Sequence, residues 1–443
     1  MLIRKPAVGL LAATIFYSMA FTPVASAQTL QELKAQIDAL SKKVAELERK
    51  EAQKKKETKK KSPDLKVKWK GAPELSTADG KFKMKIRGRL FFDYASVSVK
   101  DGAGTSIPGD KINGTEVRTA RFGVEGIVYQ NVKYKFEIDF AGNEVTVKDA
   151  YVQYKFKPVT LSVGQFKHMN SLEEQQSSRY ITFKERASFT DAFKLSRRVG
   201  IAVGTGGKNW TVKAGYFFEG FGSTNGSAND DNMFAARATF SPDMGGNVKI
   251  HLGTSFFSRS KSGDVYNHGY SQRPPDHQSN KYVRSEKFDI TRETFLGIEM
   301  AAITGPFSAQ TEWTWMKNSL SASEINTTSD PVYNGGYVEL SYYITGESRS
   351  YSGKKGVVGR TKVRSPVSEG GMGAWQVAVR YDVIDLVHET FGQKQDSYII
   401  GLNWHLNNYA RIMTNYSHST VKDSAGLKNN TINAIGTRFQ VDW

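Results

Sequence analysis

The stretch KFKMKIRGRLFFDY, Lys81 to Tyr94, sets Lys81, Lys83, Lys85, Arg87 and Arg89 at every second position, with Phe82, Met84, Ile86, Gly88 and Leu90 between them. Successive side chains of a β-strand point to opposite faces, so this reads as a strand with one apolar and one intensely positive face. Cations in register suit one chemistry, the attraction and transient coordination of anions. Lys133 and Lys135 repeat the arrangement in VKYKFEIDF. A further cluster fills KHMNSLEEQQSSRYITFKERASFTDAFKLSRR, where Lys167, Arg179, Lys184, Arg186, Lys194, Arg197 and Arg198 stand beside Glu173, Glu174 and Glu185. Arginine offers oxyanions a planar fork with two parallel donors, whereas lysine acts as a point charge. The plainer alternative for any one strand cation is an ion pair with an acid on a neighbouring strand, such as Asp93, Glu125, Glu137 or Asp139, that only holds the wall together.

The elements that must position these cations are strands. In VKYKFEIDF, Val132, Tyr134, Phe136, Ile138 and Phe140 oppose Lys133, Lys135, Glu137 and Asp139; DAYVQYKF, NWTVKAGYFFEG and AWQVAVRYDV divide in the same way. Tight connections at Gln130-Asn131, Lys157-Pro158, Gly305-Pro306 and Asn407-Asn408 alternate with long polar ones, Lys100 to Gly114, Lys167 to Arg197, Arg259 to Asp289 and Val421 to Asn430. Short turns at one end and long loops at the other predict an all-β, transmembrane antiparallel β-barrel of about sixteen strands. A soluble sandwich has no reason to put aromatics outside and charges inside. A Lys or Arg on the lipid face at mid-depth costs about 2 to 4 kcal/mol, so the cations must face the lumen. The loop from Lys167 to Arg198 is long enough to fold inward and narrow the channel. Ser348 to Gly373 breaks the pattern, being long on the short-turn side.

The barrel does not account for the N-terminus. Arg4 and Lys5, an apolar run from Ala7 to about Val24, and Ala25-Ser26-Ala27 before Gln28 predict a signal peptide over residues 1–27, cleaved after Ala27. Leu30, Leu33, Ile37, Leu40, Val44 and Leu47 then recur at spacings of three and four, the seam of a short coiled-coil helix within residues 28–61 that ends in the run KKKETKKK. The seam predicts self-association without choosing between two and three strands. Residues 62–80, with Pro63, Gly71 and Pro73, read as a linker, and 81–443 as the barrel. With no cysteine in the chain, disulfides and thiolate chemistry are excluded. A net charge of +17 in an exported chain without a nucleic-acid reading element points to anions or an anionic surface. Seven histidines, among them His251, His388, His405 and His418, lack a nucleophile elbow or metal spacing, so neither an enzyme nor a metal or other cofactor is expected.

The segments DFAGNEVTVKDAYVQYKF, VGQFKHMNSLEEQQSSRYITFKER, GGYVELSYYITGESRSY, GAWQVAVRYDVIDL and GLNWHLNNYARIMTNYSH resemble, in order, blocks of the phosphate-selective porin O and P family. The resemblance covers nearly all of Lys81 to Trp443. It implies a sixteen-stranded barrel in the outer membrane of a Gram-negative bacterium, surrounded by outer-membrane lipid, usually a homotrimer, conducting phosphate or other small anions past Arg and Lys. It carries Gly164, Gln165, Phe166 and Lys167, and Phe183, Glu185 and Arg186, to the neighbourhood of a constriction; His168, Met169 and Asn170 stand where the family commonly has a Pro-containing turn. Arg87 and Arg89 are candidates from periodicity alone. Two other functions fit the same pattern: a general diffusion porin with a neutralised interior, and a structural outer-membrane protein tethering the envelope.

Overall fold

The computed structural model describes residues 30–61, 65–69, 71–107, 111–219, 231–261 and 265–443. The chain divides into two units after Asp64. In the first, helix α1 runs Leu30–Lys61. The lysine run from Lys54 continues this helix, because Lys and Glu are good helix formers and no Gly or Pro intervenes before Pro63. Leu33, Ile37, Leu40, Val44 and Leu47 are all exposed along it. The proposed leader and its cleavage point lie outside the described residues.

The second unit is a closed barrel of sixteen strands: β1 (Lys83–Asp101), β2 (Ile112–Val128), β3 (Val132–Asp139), β4 (Thr146–Phe156), β5 (Val159–Lys167), β6 (Arg197–Gly206), β7 (Trp210–Phe217), β8 (Asp231–Phe240), β9 (Val248–Lys261), β10 (Phe288–Thr304), β11 (Phe307–Leu320), β12 (Val332–Tyr343), β13 (Ala374–Asp385), β14 (Gln393–His405), β15 (Ala410–Asp423) and β16 (Lys428–Asp442). Each pairs antiparallel with its sequence neighbour, and β16 closes on β1 in the register Gly436↔Ala95 and Gln440↔Phe91. Closure removes the sheet edges that lipid could not satisfy. The seam is tightened where Gly88 and Trp443 exchange backbone hydrogen bonds of 3.2 and 3.0 Å. Gly88 is needed there because a Cβ would lie 2.0 Å from the Trp443 ring.

The stretch read as a linker holds strand structure in part. Leu65–Trp69 pairs with Pro73–Thr77, which pairs with the start of β1 through Glu74↔Lys85 and Ser76↔Lys83. The reason is visible in LKVKW, which alternates as the barrel strands do, and Pro73 sits at a strand's first position, where its missing N–H is tolerated.

Phe92, Tyr94, Phe122, Phe136, Trp313, Trp315, Val338 and Ile435 are exposed on the outer face. The interior holds an aromatic cluster of Phe193, Phe217, Phe257, Phe295, Tyr270 and Tyr333. Three segments fold inward onto the wall. Residues 168–196, between β5 and β6, carry the short helices α2 (Leu172–Gln175) and α3 (Ser188–Ala192) and are largely buried. Residues 269–285, between β9 and β10, place Asp276 against Lys184. The long connection from Ser348 to Gly373 also turns in, with Arg349 3.3 Å from both Glu339 and Gln176, and Arg237 donating to the Gly356 carbonyl at 2.9 Å. That infolding accounts for its length on the short-turn side.

Candidate functional site

A cavity of about 1850 Å³ opens between the inner wall of β1–β7 and the infolded residues 168–196. Twenty-three Lys and Arg line it against seven Asp and Glu, so the enclosed water sits in a strongly positive field. The strand alternation puts Lys83, Lys85, Arg87, Arg89, Lys133 and Lys135 on this wall. Lys81 stays out of it, in the turn before β1, with its Nζ 3.4 Å from Asp79.

At mid-depth carboxylates bridge Arg89, Arg121, Lys135 and Arg197 in a continuous chain, and Arg87 has a carboxylate of its own. Arg87 contacts Glu125. Arg89 donates from Nη2 to Glu137 at 2.9 Å and from Nη1 to Ser178 of the infolded loop, also at 2.9 Å. Arg121 reaches Asp139 at 2.7 Å and Glu137 at 3.3 Å. Lys135 contacts Asp149 and lies 3.6 Å from Glu137, while Arg197 binds the other oxygen of Asp149 at 2.6 Å. The pairing expected as the plainer alternative therefore holds for Arg87, Arg89 and Lys135. It does not remove these groups from the channel: Arg197 meets Asp149 through Nε, and all of them remain on the cavity wall.

Toward the short-turn end the compensation ends. Lys83, Lys133, Lys155 and Lys213 face the cavity, and among the described residues no carboxylate lies within 4 Å of their ammonium groups. Lys354 and Lys355, at the tip of the infolded Ser348 to Gly373 segment, line the same region.

The loop expected to fold inward does so, held from several strands. Glu312 of β11 accepts from the backbone N–H of Leu172 and Glu173, at 2.8 and 2.7 Å, at the start of α2. Asp382 of β13 accepts from Ser188 N, at the start of α3. Arg411 and Asn403 donate to the carbonyls of Ile181 and Thr182 at 2.9 and 2.8 Å. Lys167 and Arg186 converge on Glu174 at 3.1 and 2.9 Å. Burial alone would raise the Glu174 carboxyl, but Arg186 and Lys167 hold it below its ordinary value of 4.5. Arg179 lines the cavity 3.5 Å from Asp442. Lys184 touches the cavity while staying 3% exposed, 3.2 Å from Asp276 and 3.7 Å from Asp93, so it ties loop to wall. Arg198 is turned away, donating to the Phe218 carbonyl at 3.2 Å, and does not line the cavity.

Several wall cations escaped the sequence reading. Arg118 and Arg121 are three apart and break the alternation because Arg118 is the extra residue of a β-bulge, where Phe91 pairs with Thr119 and Phe92 with Val117. Arg118 then grips Glu185 of the loop at 3.0 and 3.2 Å. Lys155 and Lys213 stood on the polar face of their strands and were legible by the same alternation as Lys133. Lys354 and Lys355 had no such signal, since only the fold of their segment brings them in.

The family described as Phosphate-selective porin O and P matches residues 84–443. Porin O of Pseudomonas aeruginosa is 28% identical over 398 residues, covering 80% of this chain and 86% of that protein. An uncharacterized protein of Caulobacter vibrioides is 31% identical over 398 residues, covering 86% of this chain and 78% of its own length. Among solved structures, the outer membrane channel DcaP of Acinetobacter baumannii aligns with a TM-score of 0.50 at 11% identity, over 83% of this chain and 99% of that one.

Proposed function

The chain belongs to the phosphate-selective porin O and P family, and on that premise we propose that this outer-membrane β-barrel porin conducts small oxyanions, phosphate foremost, passively through its Lys- and Arg-lined lumen. The observation that carries the reading is the wall of β1–β7, where cations outnumber acids by more than three to one around open space. An anion entering from the long-loop side meets Arg118, Arg121 and Lys148, passes Arg89, Lys135, Arg197 and Lys167 at the narrowed section, and leaves past Arg87, Lys85, Lys133 and Lys83. Arg186 and Arg179 border the narrowed section from the loop. Conduction requires that each site also release its ion. The carboxylates bridging the mid-depth cations serve that end: Asp149 and Glu137 hold Lys135, Arg197 and Arg89 in place and weaken their net pull, so an oxyanion is passed on instead of trapped. The polar N–H groups substitute for part of its hydration shell, and low-dielectric walls focus the field along the path.

Export with cleavage after Ala27, and a homotrimer supported by α1, belong to the same proposal. The test is single-channel recording in planar bilayers, first in a KCl gradient, then with phosphate titrated in at fixed ionic strength. Anion-side reversal with saturable block of chloride current by phosphate is expected. The bridged pairs at mid-depth favour one second reading, a general diffusion porin, for which the reversal potential would stay near zero and phosphate would not block.

A further inference from the structure

A second, smaller cavity lies beside the short turn at Asn407-Asn408, and among the described residues Arg179 alone lines both it and the channel. Three parts of the barrel meet around it: the infolded loop through Arg179, the Ser348 to Gly373 segment through Arg349 and Arg360, and the wall of β12–β16 through Arg411. Four guanidiniums thus line a volume of about 20 Å³, room for one particle the size of a water molecule.

Carboxylates do not balance them. Asp442 serves both Arg360 and, at 3.5 Å, Arg179. Glu339 lies 3.3 Å from Arg349 but also contacts Arg380. Arg411 is buried, and among the described residues no carboxylate oxygen lies within 4 Å of its guanidinium. It donates instead to the side-chain oxygen of Gln440 at 3.0 Å and to the Ile181 carbonyl at 2.9 Å. These neutral oxygens satisfy its hydrogen bonds and leave its charge, and a buried charge is costly unless an opposite one stands beside it. Arg349 holds Glu339 and Gln176 at 3.3 Å each, longer than the roughly 2.7 to 2.9 Å of a charged hydrogen bond. Repulsion is not relieved by movement of Arg360, whose guanidinium lies 5.0 and 4.8 Å from the ring centres of Tyr180 and Tyr409 and donates to the Asn408 carbonyl. A water molecule would fill this space without meeting its charge, and a phosphate group exceeds it. An anion of halide size answers both.

We propose that this cavity is a binding site for one small monovalent anion, chloride or another of its size, held by Arg411 and Arg349 as a fixed ion separate from those the channel conducts. The ion joins infolded loop, infolded segment and wall at one point. It thereby fixes Arg179, which also borders the channel.

The test is the apparent melting temperature of the full-length protein in detergent, followed by tryptophan fluorescence, as sodium chloride replaces sodium gluconate at fixed ionic strength. A ligand of the folded state stabilises it by mass action, so the temperature should rise by a few degrees over a hundredfold range of chloride. Arg411→Gln should abolish the rise, with Arg349→Gln taking its place if that variant fails to fold. The variant with Lys83→Gln, Lys133→Gln and Lys213→Gln, altered only on the channel wall, should keep it. A melting temperature indifferent to chloride, a rise that survives loss of the arginine, or one lost with the three lysines would overturn the proposal. Crystals of the unmodified protein soaked in sodium bromide give a second reading. An anomalous bromine peak between Arg411 and Arg349 is expected, and bromine confined to the channel, with only water in this cavity, would overturn the proposal.

Discussion

The two sides of the barrel interior are built from the same kinds of residue and do opposite things. On the β1–β7 side, cations border open space, and among the described residues Lys83, Lys133, Lys155 and Lys213 near the short-turn end have no carboxylate within 4 Å. On the β8–β16 side, equally charged strands are closed by pairing. Arg237 grips Glu299 at 2.7 and 3.0 Å, Arg259 grips Glu293 at 2.8 and 2.7 Å, and Arg380 spans Glu173 and Glu339. These groups are at most 3% exposed. The difference lies in the partners: these three guanidiniums each meet one carboxylate or more, and Arg411 is closed off by Gln440 and the Ile181 carbonyl, whereas the open wall has a surplus of cations. A buried pair contributes little net stability but is costly to break from one side.

The sharpest way to break the comparison is to unbalance the closed side. Arg380→Gln strands Glu173 without its cation and leaves Glu339 with Arg349 alone, and a loss of about 3 to 5 kcal/mol is expected, read as a lower temperature for the heat-modifiable gel shift. Lys83→Gln on the open side should leave that temperature unchanged. If both substitutions destabilise equally, the two sides are not distinct.

A smaller effect is expected from the acids on the open side. Asp149→Asn frees Lys135 and Arg197 from their shared partner and should tighten phosphate block by about tenfold, roughly 1.4 kcal/mol, while lowering the maximal phosphate current. Weaker block would mean that Asp149 organises the site and does not temper it.

The combined change Lys83→Gln, Lys133→Gln and Lys213→Gln removes charges without carboxylate neighbours, each worth about 1 kcal/mol to an anion at 4 Å in water. Anion-over-cation permeability should fall severalfold with open-channel conductance retained. Unchanged selectivity would assign the whole effect to mid-depth.

The smallest effect is in acid. Because Glu174 is held below 4.5, its contribution is fully present above that ordinary value and is lost only as pH falls through its depressed folded value. Lowering the pH from 7 to 4.5 should therefore leave single-channel noise from the loop unchanged, and Glu174→Gln should raise it already at pH 7.

Much of this was legible in the sequence because alternation is local. It fixed the phase of β1 and β3, so Arg87, Arg89 and Lys133 were assigned to the lumen correctly, and turn chemistry separated the two ends of the barrel. What alternation cannot show is whether an inward charge meets water. Arg380 and Lys133 stand alike in their strands; Arg380 is buried because a loop some two hundred residues earlier in the chain brings Glu173 to it. The bulge at Arg118 and the infolding of Lys354 and Lys355 escaped for the same reason, being consequences of pairing and of long-range closure. The linker reading failed for a local reason: Pro and Gly outweighed the short alternation of LKVKW.

The central claim is that the surplus of cations on the β1–β7 wall makes the channel select anions. Its most direct test is the zero-current potential of the unmodified protein in a tenfold KCl gradient. A potential of the anion-selective sign is expected, collapsing toward zero in the triple lysine variant. A potential of the cation-selective sign in the unmodified protein would contradict it.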